Sequence, residues 1–260
     1  MTESGFDGRV VVVTGGGRGI GRALARAYAE TGATVVVSAR TKDELDEVVD
    51  GIRSKGGRAL AVVADAMERE AAREPVRTAV REFGRVDVLV NNVGAALGAD
   101  QNPFTCADAA VEDTVTLCLL SAWWISREAL PHMREQGYGR ILNIGSGAAK
   151  MSGAPIGYTT AKHGLVGLTK ELAAQVGWAG ITVNCLCPGW VRTGLADFDR
   201  LAEQYGMPAE EIEARARAES VQGHILEPEE LCAMALLLTS EHGGRRITGQ
   251  VVSVDGGWKI

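Results

Sequence analysis

The chain has 260 residues, with 27 Lys and Arg against 33 Asp and Glu, a net charge of -6, and 46% hydrophobic residues. That length can bury about 70–75% of the unfolded surface without a metal or disulfide staple. The acidic balance argues against a nucleic-acid or anionic-membrane partner, because binding to either is driven by clustered cations. Glycine is abundant at 33 residues while proline numbers 7, which fits many tight turns in an ordered α/β chain better than a disordered linker. The five cysteines form no CxxC pair and read as reduced thiols, and the four histidines lack ligand spacing, so no metal site is expected. The first residues lack a basic region followed by an apolar core, and no run of about 18 apolar residues could span a bilayer. A cytoplasmic location is expected.

In chain order, Arg9–Thr14 is a short apolar run bounded by glycines, as a strand buried on both faces requires. Ile20–Thr31 follows as a helix, with Ile20, Leu24, Ala27 and Tyr28 on one face and Gly32 as its stop. The alternation continues with strand Thr34–Ser38, helix Lys42–Ser54, strand Ala59–Ala64, helix Glu70–Phe83 and strand Val86–Val90. A long helix is then expected over Asp108–Gln136, strand Arg140–Ile144, helix Ile156–Val176 and strand Thr182–Leu186. Helical stretches between Asp197 and Glu219, helix Glu229–Thr239 and strand Gln250–Val254 complete the chain. Seven strands alternating with helices imply right-handed crossovers and one parallel, Rossmann-like doubly wound sheet covered on both faces. The whole of 1–260 reads as a single domain. The charged, alanine-rich stretch 197–219 is either a solvated hairpin or a lid over the carboxyl ends of the strands.

The segment Thr14-Gly-Gly-Gly-Arg-Gly-Ile-Gly21 joins the first strand to the first helix. Glycines there allow a tight turn and close approach of backbone to a pyrophosphate, which the helix N-terminus then faces. The spacing Gly15-xxx-Gly19-x-Gly21 resembles that of the short-chain dehydrogenase/reductase family. The resemblance extends through Asn91-Asn-Val-Gly94, Tyr158-xxx-Lys162, Pro188-Gly189 with Thr193, and Asp255-Gly-Gly257. It implies a cofactor path along Gly15, Arg18, Gly19, Ile20, Gly21, Ala66, Gly94, Pro188, Gly189 and Val191. Within that path it places Asp65 at the adenine edge, Asn91 beside the adenine ribose and Thr193 at the nicotinamide amide. At the end of the second strand, Ala39 stands where NAD enzymes of the family usually carry Asp, and Arg40 follows. Arg40, with Arg18, suits a 2′-phosphate through charge-assisted bonds, so NADP(H) is expected in preference to NAD(H).

Tyr158 and Lys162 lie four residues apart on one helix face, where an ammonium favours the phenolate form of its neighbour. By resemblance Ser146 holds the substrate oxygen, Tyr158 transfers the proton, and Lys162 also binds the nicotinamide ribose. Two departures stand out. The family's fourth catalytic residue, an Asn in the long helix, is matched by Cys118, a poor hydrogen-bonding substitute for an amide. Ser146 and Tyr158 are 12 residues apart, one fewer than the common offset, so the intervening loop should reshape the substrate wall.

The C-terminal third looks most like bacterial 3-hydroxybutyrate dehydrogenases, whose Gln, His and Lys for a small carboxylate are matched by Ala96, Ala148 and Pro155. These, with Met151 and Trp190, form an expected apolar wall that suits a bulkier ketone or secondary alcohol. The resulting expectation is an NADP(H)-dependent carbonyl or 3-oxoacyl-type reductase acting on a small molecule. The alternatives are an NADPH-binding regulator or a supporting subunit impaired by Cys118. Resemblance implies a homotetramer built on helices 108–136 and 156–176, with Trp123 and Trp124 placed either at an interface or in the core.

Overall fold

In the computed structural model, residues 5–98, 102–194 and 196–259 are described. The strands β1 (Val10–Thr14), β2 (Thr34–Ala39), β3 (Arg58–Val63), β4 (Val88–Asn91), β5 (Gly139–Ile144), β6 (Ile181–Pro188) and β7 (Val251–Val254) form one sheet. Its order is β3-β2-β1-β4-β5-β6-β7, and every pairing is parallel. The winding direction reverses between β1 and β4, the place where such sheets open a ligand crevice at their carboxyl ends.

The central strands are Val-rich and buried on both faces, which suits a sheet sandwiched by helices. One face is covered by α1 (Gly19–Glu30), α2 (Lys42–Arg53) and α9 (Cys232–Thr239), which pack Leu24, Tyr28, Leu45 and Leu238 onto it. The other is covered by α3 (Arg69–Phe83), α5 (Ser121–Gln136) and α6 (Ile156–Val176), through Val76, Ile125, Met133 and Leu172. Each such side chain contributes about 1.5–3 kcal/mol by burial. At the amino ends of the strands, the fully buried Asp87 accepts from Arg9 Nη1 (2.9 Å), the Val10 amide (2.9 Å), and Arg85 Nε (2.7 Å) and Nη2 (2.6 Å). Paired in this way, a buried carboxylate does not carry an uncompensated charge.

The structure corrects the sequence expectations in one place and makes them specific in two others. The long helix is not continuous: α4 (Asp108–Val115) passes into a π-helical turn, Thr116–Leu120, before α5 begins. Cys118 sits in that turn, which contains no proline. The stretch 197–219 is two helices, α7 (Phe198–Tyr205) and α8 (Ala209–Ala218), joined at Gly206. They carry a small core of their own, with Phe198, Ile212, Ala216 and Ile225. Trp124 is nine-tenths covered within one chain, beneath the Arg69 guanidinium at 5.4 Å, and Trp123 packs against the second core. Among the described residues, no helix is long and apolar enough to cross a membrane.

Candidate active site

The glycine loop is shaped by contacts that exclude side chains. A Cβ on Gly21 would lie 2.1 Å from the Gly15 carbonyl oxygen, and Gly15 and Gly19 have φ of +61° and +52°. Only glycine gives α1 that close approach to the preceding turn. Asn92 braces the loop, donating through Nδ2 to the carbonyls of Thr14 (3.0 Å) and Gly15 (3.1 Å). The Thr14 hydroxyl in turn accepts from the amides of Asn92 (3.0 Å) and Val93 (3.3 Å). Beyond the loop, a cleft of about 650 Å³ is walled by Arg18, Gly19, Arg22, Thr193, and residues of α7 and α8. Thr193 Cγ2 lies 3.1 Å from where a Gly19 Cβ would be, so it closes directly over the loop.

The other expected cofactor residues divide. Ile20, Ala66 and Gly94 are half-buried along the crevice, Pro188 and Val191 are buried, and Gly189 packs against Asp255. Arg40 is exposed at the end of β2. Asp65 caps a turn, accepting from the Met67 amide at 3.0 Å. The Asn91 side chain turns inward. Its Nδ2 donates to Ser126 Oγ (3.0 Å) and Asn143 Oδ1 (2.8 Å), inside a buried polar chain that continues to Thr169. Its Oδ1 is buried without a partner among the described residues, in a residue lining a cavity of about 20 Å³ with Thr14, Ala66 and Ser121. That volume admits one water. The missed residue is its neighbour Asn92. Period-two alternation past the strand end already implies that the two asparagines cannot serve the same face.

Ser146 follows β5, with an extended backbone (φ -171°), and its Oγ accepts from the Ala148 amide at 3.1 Å. Tyr158 and Lys162 project from α6, with Lys162 Nζ 5.5 Å from the Tyr158 ring centroid. Lys162 is 2% exposed and donates to the Ile144 carbonyl at 2.7 Å, which leaves two further N–H groups. Burial pushes the Lys162 ammonium down, but the negative charge available at Tyr158, Cys118, Cys185 and Cys187 outweighs it, so lysine stays above its ordinary value.

Cys118 is buried beside this group, its Sγ 3.4 Å from the Ala95 carbonyl oxygen. A Cβ on Gly94 would meet Lys162 Nζ at 3.2 Å and Cys118 Sγ at 3.4 Å, so the thiol and the ammonium share one small space. Behind Ser146, Cys185 and Cys187 lie with their sulfurs 3.7 Å apart, both against Gly145.

The expected substrate wall is only partly assembled. Ala148 is buried, Ala96 and Pro155 are half-buried, and Met151 is 37% exposed. Trp190 packs instead against the small core of α7 and α8: its ring lies 6.2 Å from that of Phe198, and it donates through Nε1 to Glu219 Oε2 at 2.7 Å. Trp258 Nε1 donates to the same oxygen at 2.8 Å, and Lys259 Nζ lies 2.9 Å from Oε1. The Trp258 indole covers Gly147, leaving no room for a side chain there. Glu219 and Trp258 went unread in the sequence because neither belongs to a motif. Burial raises the Glu219 carboxyl, and its hydrogen bonds from Trp190, Lys259 and Trp258 outweigh that, so it is held below the usual carboxylate value.

The glycine loop, the crevice at the strand reversal and a Tyr–Lys pair behind Ser146 suit a dinucleotide-dependent oxidoreductase, and residues 9–204 match the short chain dehydrogenase family. The chain belongs to that family. It is 39% identical over 248 residues to the short-chain reductase protein NovJ of Streptomyces niveus, covering 95% of this chain and 93% of the relative. A D-beta-hydroxybutyrate dehydrogenase of Cupriavidus necator is 34% identical over 262 residues, 97% of this chain and 98% of its own. Among solved structures, L-sorbose reductase from Gluconobacter frateurii, complexed with NADPH and L-sorbose, superposes with a TM-score of 0.92 at 30% identity. That match covers 99% of both chains. This short-chain dehydrogenase is therefore an oxidoreductase of the family's NAD(P)-dependent kind, with the family's seven-stranded fold.

Proposed function

We propose that the protein is an NADP(H)-dependent reductase interconverting a ketone and a secondary alcohol, with Tyr158 as the acid/base. The observation that carries this reading is the buried Lys162 ammonium facing Tyr158 behind Ser146. The cradle fits a dinucleotide: a Gly21 side chain could not be accommodated, and the loop opens onto a cleft of about 650 Å³. Gly15, Gly19, Ile20 and Gly21 would hold the pyrophosphate at the α1 N-terminus, with Arg18 and Arg40 on the 2′-phosphate. Asp65, Ala66, Asn91 and Gly94 would border the adenosine, and Pro188, Gly189, Val191 and Thr193 the nicotinamide. When bound, the nicotinamide supplies the hydride.

The chain's own residues handle the oxygen and its proton. Ser146 donates to the substrate oxygen, and Tyr158 gives its hydroxyl proton to that oxygen as negative charge develops there. Lys162 keeps its positive charge and stabilises the phenolate left behind, and its two unused N–H groups are available to a ribose. Cys118 replaces the family's Asn without matching an amide's two-sided bonding, so another residue or the backbone must complete proton return from solvent. The same substitution supports a second reading, an NADPH-binding regulator that does not turn over.

The small apolar side chains at Ala96, Ala148 and Pro155 offer no partner for a carboxylate and suit a bulkier, less polar carbonyl compound. A homotetramer and a cytoplasmic location complete the proposal, with no nucleic-acid or membrane partner. The test is NADPH and NADH oxidation across ketones, 3-oxoacyl thioesters, quinones and cyclic diketones. Turnover with one class, faster with NADPH, is the expected result. Tight NADPH binding with no turnover on any class would instead support the regulator reading.

A further inference from the structure

The expected choice of NADP(H) rests on Ala39 and Arg40, and on that reading a residue of α2 acts on the same choice in the opposite direction. Nothing at the end of β2 carries a carboxylate, but the first turn of α2 supplies one nearby. A Cβ built on Gly17 would meet Glu44 Cβ at 3.0 Å and Glu44 Oε2 at 3.1 Å, and from that same point Ala39 Cβ is 3.6 Å away. A carboxylate oxygen and the Ala39 methyl group thus flank one point above the glycine loop. The small residues at 17 and 39 open this space, and the Glu44 side chain enters it.

The local ion pairs follow from this placement. Arg18 Nη1 lies 3.9 Å from Glu44 Oε1, and Arg22 Nη1 lies 3.8 Å from Glu47 Oε1, almost one turn further along α2. Both cations on the glycine-loop side therefore already face carboxylates of α2. Arg40 is exposed and has no ion pair among the described residues. An incoming 2′-phosphate meets one uncommitted guanidinium, one committed to Glu44, and the Glu44 carboxylate itself.

We propose that Glu44 is a specificity-determining residue that restrains the preference for NADP(H) by placing a carboxylate from α2 beside the adenosine ribose. A 2′-phosphate competes with Glu44 for the exposed Arg18 guanidinium, and it stays close to a like charge. A 2′-hydroxyl can instead donate to that carboxylate, which supports residual NADH binding. The carboxylate side chain is 36% exposed, so solvent moderates the repulsion and the effect on affinity is on the order of tenfold.

The test is fluorescence titration of NADPH and NADH into the wild-type protein, Glu44→Gln and Arg40→Ser, at low and high salt, with thermal melts to verify folding. Glu44→Gln should tighten NADPH binding about 5- to 20-fold and weaken NADH binding a few-fold, with the NADPH gain shrinking at high salt. If Glu44→Gln leaves both dissociation constants unchanged while Arg40→Ser weakens NADPH, this proposal is overturned and the NADP(H) reading stands. If Arg40→Ser changes nothing while Glu44→Gln tightens NADPH, Glu44 keeps its role and the assignment to Arg40 falls. Weaker NADPH binding in Glu44→Gln would overturn the proposal outright.

Discussion

Gly21→Ala isolates the glycine loop from the rest of the site. The added methyl would sit 2.1 Å from the Gly15 oxygen, 2.6 Å from Asn92 Nδ2 and 2.8 Å from the Gly15 carbonyl carbon. Two of these neighbours are backbone, so no rotamer change relieves the clash, and the loop must move by roughly 1 Å to restore van der Waals distances. A shift of that size lengthens the amide contacts to a pyrophosphate, each worth about 1.5–3 kcal/mol when the acceptor is charged. Losing two contacts at the lower bound costs about 3 kcal/mol, or roughly 100-fold in the dissociation constant for NADPH. Overpacking should also cost about 1–3 kcal/mol of stability. Gly51→Ala, in the last turn of α2 with only the end of the Arg26 side chain at 3.7 Å, is the matched control. It should keep wild-type affinity and gain about 0.5–1 kcal/mol of stability. Cofactor titration and thermal melts of both variants decide the matter. NADPH binding to a folded Gly21→Ala protein within threefold of wild type would refute the claim that this close approach shapes the phosphate site.

Further outcomes follow from the same structure. Asp87→Ala should cost about 3–5 kcal/mol, because Arg9 and Arg85 lose their buried partner, and should lower Tm by roughly 6–15 °C in calorimetry. Cys118→Asn should raise kcat on the best substrate if the thiol interrupts proton return, and an unchanged or lower kcat would remove that explanation. Glu219→Gln keeps the shape of the clamp on Trp190, Trp258 and Lys259 but removes its charge, so it should raise KM more than it lowers kcat by loosening the packing of α7 and α8 on Trp190. Because the Glu219 carboxyl is held low, its stabilising contribution is present above the ordinary carboxylate range and is lost as pH falls through the depressed value. Acid unfolding of Glu219→Gln should therefore be less steep than that of the wild type.

The alternation of strands and helices was legible because each element is long enough for its period to be read, as in the Val-rich β1 and the Leu24/Tyr28 face of α1. The break in the long helix was not. A π-helical turn keeps helical dihedrals and needs no proline or glycine, and nothing in Thr-Leu-Cys-Leu-Leu signals it. Motif residues such as Ser146, Tyr158 and Lys162 could be named from the resemblance to the family's motifs, but the direction of an asparagine at the end of a strand could not. Asn91 joins the buried chain with Ser126, Asn143 and Thr169, while Asn92 turns to the glycine loop. Glu44, Glu219 and Trp258 act across elements distant in sequence, and only the fold brings them to Gly17, Trp190 and Gly147.

The central claim is that Tyr158, beside the buried Lys162 ammonium, delivers the proton in carbonyl reduction. Tyr158→Phe tests it most directly, with NADPH oxidation on the best ketone measured alongside NADPH affinity. A fall in kcat of about 10²–10⁴-fold, with the NADPH dissociation constant kept within threefold, is the result this account predicts. Turnover close to wild type in the Phe variant would contradict it and place the acid elsewhere in the site.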